Sequence, residues 1–408
     1  MNILFVSCLY TETIEQEAKR NGYGIQTAPN TYQWAVVQGL QENHADYEVV
    51  SFPAFGCYPM HFYRKDVPED TILYDGQKIG QSVGYSTLPV VKDYSIRRNL
   101  HKYVKDWIKR NNLKRNDAFA ILIYQPESCF VDAVIPFKKK YPNMVIATIV
   151  TDMVDDFSNF ASNRSFLKRI QLGIETKKVK RNYQYIDRYI LLSKYMADRI
   201  PEAVDRNVVV EGIYNGTVTE GVVSQIPYSL LYTDALEEFC GIRQMIESFT
   251  MTEDARFRLI ICGGGPLEGY VREKAALDER IEFRGMVSRA EAIGLQKSCI
   301  LLINPRQPDG GITKYSFPSK TMEYLSSGTP MIGYKLEGFP EEYFEYYYAL
   351  DDLSTKKLSS TIDSLLNLSA EDLKAKGENA RKFILNNKTA RIQVSRMLEF
   401  IENTINIR

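Results

Sequence analysis

Short β-branched and aliphatic runs alternate with longer stretches whose apolar positions recur every three to four residues along the whole 408-residue chain. The short runs read as strands buried on both faces, and the long stretches as helices that cross between parallel strands. The strand-like runs form two sets: residues 3–7, 47–52, 118–124, 144–150 and 189–193, then 230–233, 257–262, 281–284, 299–304 and 331–334. Between the sets, residues 208–213 and a polar stretch through Gln225-Ile226-Pro227 read as the crossover. The pattern predicts an α/β chain of two facing, doubly wound domains, with a ligand held at the carboxyl ends of their strands in the cleft between them. The expected limits are 1–208 and 209–390, followed by a last helix in 391–408.

Two other segments carry local signals. Residues 9–29 are long enough for a functional lid and contain Gly22-Tyr23-Gly24, and Asn30 reads as the cap of the next helix. Residues 95–115 place Ile96, Leu100, Val104, Trp107 and Ile108 at helical spacing, ringed by Arg97, Arg98, Lys102, Lys105, Lys109 and Arg110. Lys138-Lys139-Lys140 and residues 164–181 add positive charge to the same half. Such a helix is most often the solvated outer layer of a sheet, while a face resting on anionic lipid is the alternative.

Residues 314–332 carry the densest chemistry. Pro318 suits the first helical position, because its missing N–H costs nothing there and its fixed φ fits the helix. The N–H groups of Ser319 and Lys320 then point outward along the axis, and with the helix dipole and the Lys320 ammonium they favour a phosphate. Glu323 shares a face with both, whereas Met322 and Leu325 turn to a core. The plainer alternative is a surface ion pair between Lys320 and Glu323. Gly328 supplies the helix stop and Thr329-Pro330 leads into the next strand.

Upstream, Ile260-Ile261-Cys262 runs into Gly263-Gly264-Gly265, where a backbone can approach a ligand closely. A tight connection alone explains such a turn as well. Asn304-Pro305-Arg306 ends another strand, and the planar guanidinium of Arg306 suits a diphosphate. In the amino half, the strand ending at Asp152 continues as Met153-Val154-Asp155-Asp156. Asp152 is a candidate to bind a hydroxyl or take an acceptor proton, although an aspartate at a strand end is ordinarily a cap or turn former.

Composition narrows the classes. Basic and acidic residues are equal at 51 each, so the overall charge calls for no nucleic acid. The amino terminus reads as a buried strand too short for a signal peptide or a membrane span. Six scattered cysteines without a Cys-x-x-Cys pair read as small buried hydrophobes, which fits a reducing, cytoplasmic setting. The three histidines, His44, His61 and His101, have neither metal-ligand spacing nor a nucleophile motif beside them.

The 314–332 pattern resembles the retaining glycosyltransferases of family 4, which have the GT-B fold. The resemblance implies that Glu323 holds the ribose hydroxyls, that amides one turn earlier hold the diphosphate, and that backbone at Gly285 and Met286 meets the nucleotide base. Tyr315 stands where the family usually has a sugar-binding glutamate, and Ala235 and Cys240 stand where it usually has two diphosphate-binding cations. Lys320 and Arg306, with Lys314 in reserve, are the nearest replacements in sequence, since the leaving diphosphate gains charge in the transition state. The resemblance further implies retention of configuration and a last helix that returns to the first domain. The expectation is a glycosyltransferase that uses a nucleotide sugar, a UDP-sugar before others, and a glycan or lipid-linked saccharide acceptor. Polysaccharide or capsule assembly is the expected context, with no metal and no cofactor.

Overall fold

The apolar runs of the amino-terminal half become neighbours in one sheet. The computed structural model describes residues 1–153, 166–216, 224–308 and 311–407, and contains two units, Met1–Ile213 with Ala390–Arg408 and Tyr214–Thr389. The strands of the first unit are β1 (Asn2–Ser7), β2 (Asp46–Ser51), β3 (Asp66–Val67), β4 (Asp70–Tyr74), β5 (Gln77–Ser82), β6 (Tyr85–Ser86), β7 (Phe119–Tyr124), β8 (Met144–Val150), β9 (Arg188–Leu191) and β10 (Asn207–Val209). Eight of them form a sheet in the order β10-β9-β8-β7-β1-β2-β5-β4. All its pairs are parallel except β4 with β5. Residues 208–213, expected as a crossover, begin as the edge strand β10, because Val208 pairs with Ile190. The β4–β5 hairpin was not expected either. Its Asp75-Gly76 turn, with both residues at positive φ, is a hairpin signal that was present in the sequence.

Helices α1 (Glu12–Arg20), α2 (Thr27–Glu42), α3 (Val91–Arg110), α4 (Ser128–Lys140) and α5 (Phe166–Tyr183) cover this sheet. Two expectations need correction here. The 9–29 segment folds around α1, which Thr11 caps by accepting from the Ile14 N–H at 3.3 Å. Asn30 does not cap α2, which starts at Thr27 because Pro29 is tolerated in a first turn; the Asn30 Oδ1 instead accepts from the Tyr10 N–H at 3.2 Å. Helix α3 runs four residues earlier than expected at its start and stops at Arg110, followed by the left-handed Asn112. Its apolar stripe, Ile96, Leu100, Val104, Trp107 and Ile108, is buried, so the core uses that face.

The second unit holds β11 (Ile226–Thr233), β12 (Arg258–Cys262), β13 (Ile281–Gly285), β14 (Cys299–Asn304), β15 (Met331–Tyr334) and β16 (Tyr348–Leu350), in the order β13-β12-β11-β14-β15-β16. All pairs are parallel. Helices α6 (Ile242–Thr250), α7 (Glu268–Leu277), α8 (Arg289–Ser298), α9 (Ser319–Ser326), α10 (Thr355–Leu366) and α11 (Ala370–Asn387) connect and follow these strands. The last helix, α12 (Ala390–Ile407), belongs to the first unit and adds Val394, Met397 and Ile401 to that core. It crosses α2 at Gly39, where a Cβ would lie 2.4 Å from the Ala390 carbonyl oxygen, so only glycine permits this approach.

In each sheet the chain leaves a central strand on one side and returns on the other. The switch falls between β1 and β7 in the first unit and between β11 and β14 in the second, where the connections diverge and a ligand finds room.

Candidate active site

At the second switch, Thr233-Asp234 leaves β11 and Asn304-Pro305-Arg306 leaves β14. The Arg306 side chain is only 15% exposed and donates from Nη2 to Asp234 Oδ2 at 3.4 Å. The same nitrogen lies 3.5 Å from Cys240 Sγ, and the guanidinium sits 5.2 Å from the Phe239 ring centroid. Burial raises the pKa of the Cys240 thiol and keeps it neutral. The charge at this loop is therefore carried by Arg306, beside one of the two positions where a cation was expected and is absent.

Helix α9 begins one residue later than the sequence reading placed it. Pro318 is the extended cap residue, and Ser319 is the first helical one. Thr321 N–H bonds to the Pro318 carbonyl at 3.0 Å, and the amides of Ser319 and Lys320 lie outside the helical ladder. Lys320 Nζ donates to Glu323 Oε1 at 2.7 Å, so the ion pair named as the plainer alternative is present. Glu323 is also anchored from below: Gln296 Nε2 donates to the same Oε1 at 2.5 Å. Gln296 Nε2 also donates to Thr233 Oγ1 at 3.1 Å, and the Gln296 carbonyl accepts from Thr329 Oγ1 at 2.6 Å. Thr233 N–H donates in turn to Tyr324 OH at 2.7 Å. Both donors to Glu323 use one oxygen. Among the described residues none donates to Oε2, which leaves an oriented acceptor for two vicinal hydroxyls.

Gln296 is a member of this network that sequence reasoning missed. It lies in the apolar stripe of α8 with Ala292 and Leu295, and a glutamine on a buried stripe is itself the signal of a fixed polar contact.

The glycine turn has a packing cause. A Cβ on Gly263 would lie 2.0 Å from the Asp234 carbonyl oxygen, and one on Gly265 2.7 Å from that of Leu236, with both residues at positive φ. Gly264 faces Met286 instead, where a Cβ would meet the sulfur at 3.1 Å. Met286, which follows Gly285 at the end of β13, is 79% exposed. Lys314 and Tyr315 form the short turn before α9, with the ammonium 5.7 Å from the Tyr315 ring centroid. The structure thus joins Lys320, Glu323, Gln296 and Thr233 in one network and Arg306 with Asp234 in another, and the two meet at the adjacent residues Thr233 and Asp234.

Asp152 belongs to the first unit. Its side chain accepts from Thr151 Oγ1 at 3.1 Å, and its carbonyl accepts from Gln125 Nε2 at 3.2 Å. Gln125, at φ +59, also accepts from the Thr151 N–H at 2.9 Å. A non-glycine residue held in this region is strained, and such strain concentrates at functional sites. Val154, Asp155, Asp156 and Arg164 lie outside the described residues. Asp152 lines a cavity of about 590 Å³ at the switch between β1 and β7, together with Tyr10, Tyr124, Glu127 and Glu175. The polar run Gln125-Pro126-Glu127 directly after an apolar strand was the sequence signal for it.

Residues 225–383 match the family described as glycosyl transferases group 1. Among solved structures, the chain is similar to a sucrose-phosphate synthase from Thermosynechococcus elongatus, at 13% identity and TM-score 0.62 with 100% of each chain covered. Anabaena HepE in complex with UDP gives 11% identity and TM-score 0.62, covering 99% of this chain and 100% of that one. The pneumococcal O-GlcNAc transferase GtfA in complex with UDP and GlcNAc gives 9% identity and TM-score 0.55, with 99% of each covered. No curated protein sequence is matched by this chain.

Proposed function

We propose that this chain, whose residues 225–383 match the glycosyl transferases group 1 family and whose fold is similar to that of GT-B glycosyltransferases, moves a sugar from a UDP-sugar to a hydroxyl of a glycan or lipid-linked saccharide. The observation that carries this reading is the orientation of Glu323 by Gln296 and Lys320, with one carboxylate oxygen left to accept from a ribose. In this reading the Ser319 and Lys320 amides hold the diphosphate, Gly285 and Met286 meet the base beside Gly264, and Lys320 and Arg306 balance the leaving charge. Pro318 aims the helix start, Tyr315 faces the donor sugar with Lys314 beside it, and Asp152 meets the acceptor. Retention of configuration and a role in polysaccharide or capsule assembly complete the proposal.

Release of nucleotide diphosphate from a panel of nucleotide sugars, with and without saccharide acceptors, tests it. Acceptor-dependent release and a new glycosidic product are expected, with UDP-sugars turned over ahead of the rest. Acceptor-independent turnover overturns the transfer reading in favour of a hydrolase or epimerase, and binding without turnover favours a non-catalytic binding protein.

No helix among the described residues is long and apolar enough to cross a membrane. A peripheral contact at the cytoplasmic face of the cell membrane is the companion proposal. The apolar stripe of α3 is spent on the core, so the support lies in its outward Lys102, Lys105 and Lys109 and in exposed Val90 and Tyr94 at its start, 94% and 57% accessible. Each basic residue near an anionic surface is worth about 1 kcal/mol. Replacing the three lysines by glutamate should release the protein from phosphatidylserine vesicles at low salt, with turnover of a soluble acceptor analogue unchanged. Failure of the wild type to bind such vesicles leaves α3 as a solvated outer helix.

A further inference from the structure

We propose that the cavity of the first unit receives an acceptor sugar that is neutral or carries an amino group, and that it turns away phosphate and carboxylate groups. This deepens the transferase reading and rests on it for taking the occupant to be an acceptor. At about 590 Å³ the cavity has the size of a small-molecule site, and it opens at the strand ends where the sheet order switches.

The wall chemistry selects the ligand. Asp93, Glu127, Asp152 and Glu175 bring four carboxylates to the wall, and no lysine or arginine is among the described lining residues. Carboxylates accept hydrogen bonds from sugar hydroxyls and pair with an ammonium, whereas an anionic ligand meets like charge in a partly desolvated space.

Glu127 occupies the centre of this arrangement. Its side chain is open to solvent through the cavity mouth, and partial desolvation by the protein crowded around it raises its pKa. Lys92 opposes the rise from α3, where its ammonium is tied to the Phe55 carbonyl at 2.6 Å. Asp93 on α3 and Glu175 on α5 reinforce the rise, and the Cys129 thiol on α4, 3.9 Å from Oε2, opposes it weakly. Burial also raises the pKa of the nearby Cys8 and Cys129 thiols, so they stay neutral and add no charge; the field is set by the four carboxylates against the Lys92 ammonium behind them and the Lys178 ammonium 3.8 Å from Glu175.

The sign of the linkage follows. A carboxyl with a raised folded pKa binds its proton more tightly folded than unfolded, so stability falls as pH rises from the ordinary carboxylate range through the raised value. Below that range the cost is absent. The direction of the Glu127 contribution is therefore against stability at neutral pH, which accords with a carboxyl held in a ligand site.

The test is titration of the full-length protein with methyl glucosaminide, methyl glucoside, methyl glucuronide and glucose 6-phosphate, followed by saturation-transfer NMR. The first two should saturate, and the two anions should show no binding at about tenfold higher concentration. Glu127→Gln should weaken the glucosaminide about tenfold or more and should raise Tm at pH 7, with the gain gone in acid. Asp93→Asn, read by its glucosaminide affinity, covers the case in which Glu127→Gln does not fold. Equal binding of the anionic sugars, saturation by none of the four, or unchanged glucosaminide affinity in the variants overturns the proposal. A parallel UDP titration separates the two readings: UDP binding and turnover with a failed sugar arm sinks only the cavity assignment, and sugar binding without donor turnover sinks only the transferase reading.

Discussion

Replacing Lys320 by Met should lower kcat by about 10²-fold or more while changing donor affinity far less. The lysine stands at the start of α9, where the Ser319 and Lys320 amides lie outside the helical ladder, so it adds a full charge to the place a leaving diphosphate would occupy. Negative charge on that group grows as the sugar bond breaks, and a cation that meets it contributes more in the transition state than in the ground state. Methionine keeps much of the apolar stem. Stability should change little, because an i, i+3 pair with Glu323 whose partners are 27% and 24% exposed contributes only tenths of a kcal/mol. Steady-state kinetics on variants with wild-type melting curves decide the matter. Arg306→Met should behave similarly if both cations serve the leaving group. Its melting curve must be checked first, since the substitution leaves Asp234 without its guanidinium. Near-wild-type kcat in both variants would place the charge elsewhere, on Lys314 or on a metal.

Glu323→Ala should weaken binding of the preferred nucleoside diphosphate by about 1.5–3 kcal/mol, one to two orders of magnitude in Kd. The geometry explains why the effect should be this large. Gln296 and Lys320 both donate to Oε1, so the carboxylate is held in place and its second oxygen is available to a ligand. Losing an oriented, charged acceptor removes more than losing a free one would. Calorimetric titration of the two proteins provides the check, and an unchanged Kd ends the ribose assignment. The double variant with Lys320→Met adds a second reading: Glu323 and Lys320 are in contact, so their effects on diphosphate affinity should fail to add.

Much of the second unit was legible locally. The strand 331–334, the glycine at 285 that ends β13, the helix start near Pro318 and the departure at Cys240 are properties of a few adjacent residues. Reading Pro318 as helical rather than as the cap was a one-residue slip, because proline's fixed φ suits both positions. Gln296 was the larger omission. Nothing within a few residues of it names Glu323, 27 positions away, as its partner.

The sequence by itself determined which stretches become strands and helices, because apolar spacing and turn residues act over a handful of neighbours. It also placed the charged and polar groups at strand ends. The tertiary structure alone decided which ends meet. Arg306 reaches Asp234 across 72 residues because β14 returns beside β11, and Cys8 and Glu127 face one cavity because β7 returns beside β1. Strand order is set by how whole layers bury one another, and no short window of sequence records it. The same holds for α3: its spacing predicted an apolar face, and only the packing against the sheet settled that the core, rather than an outside surface, covers it.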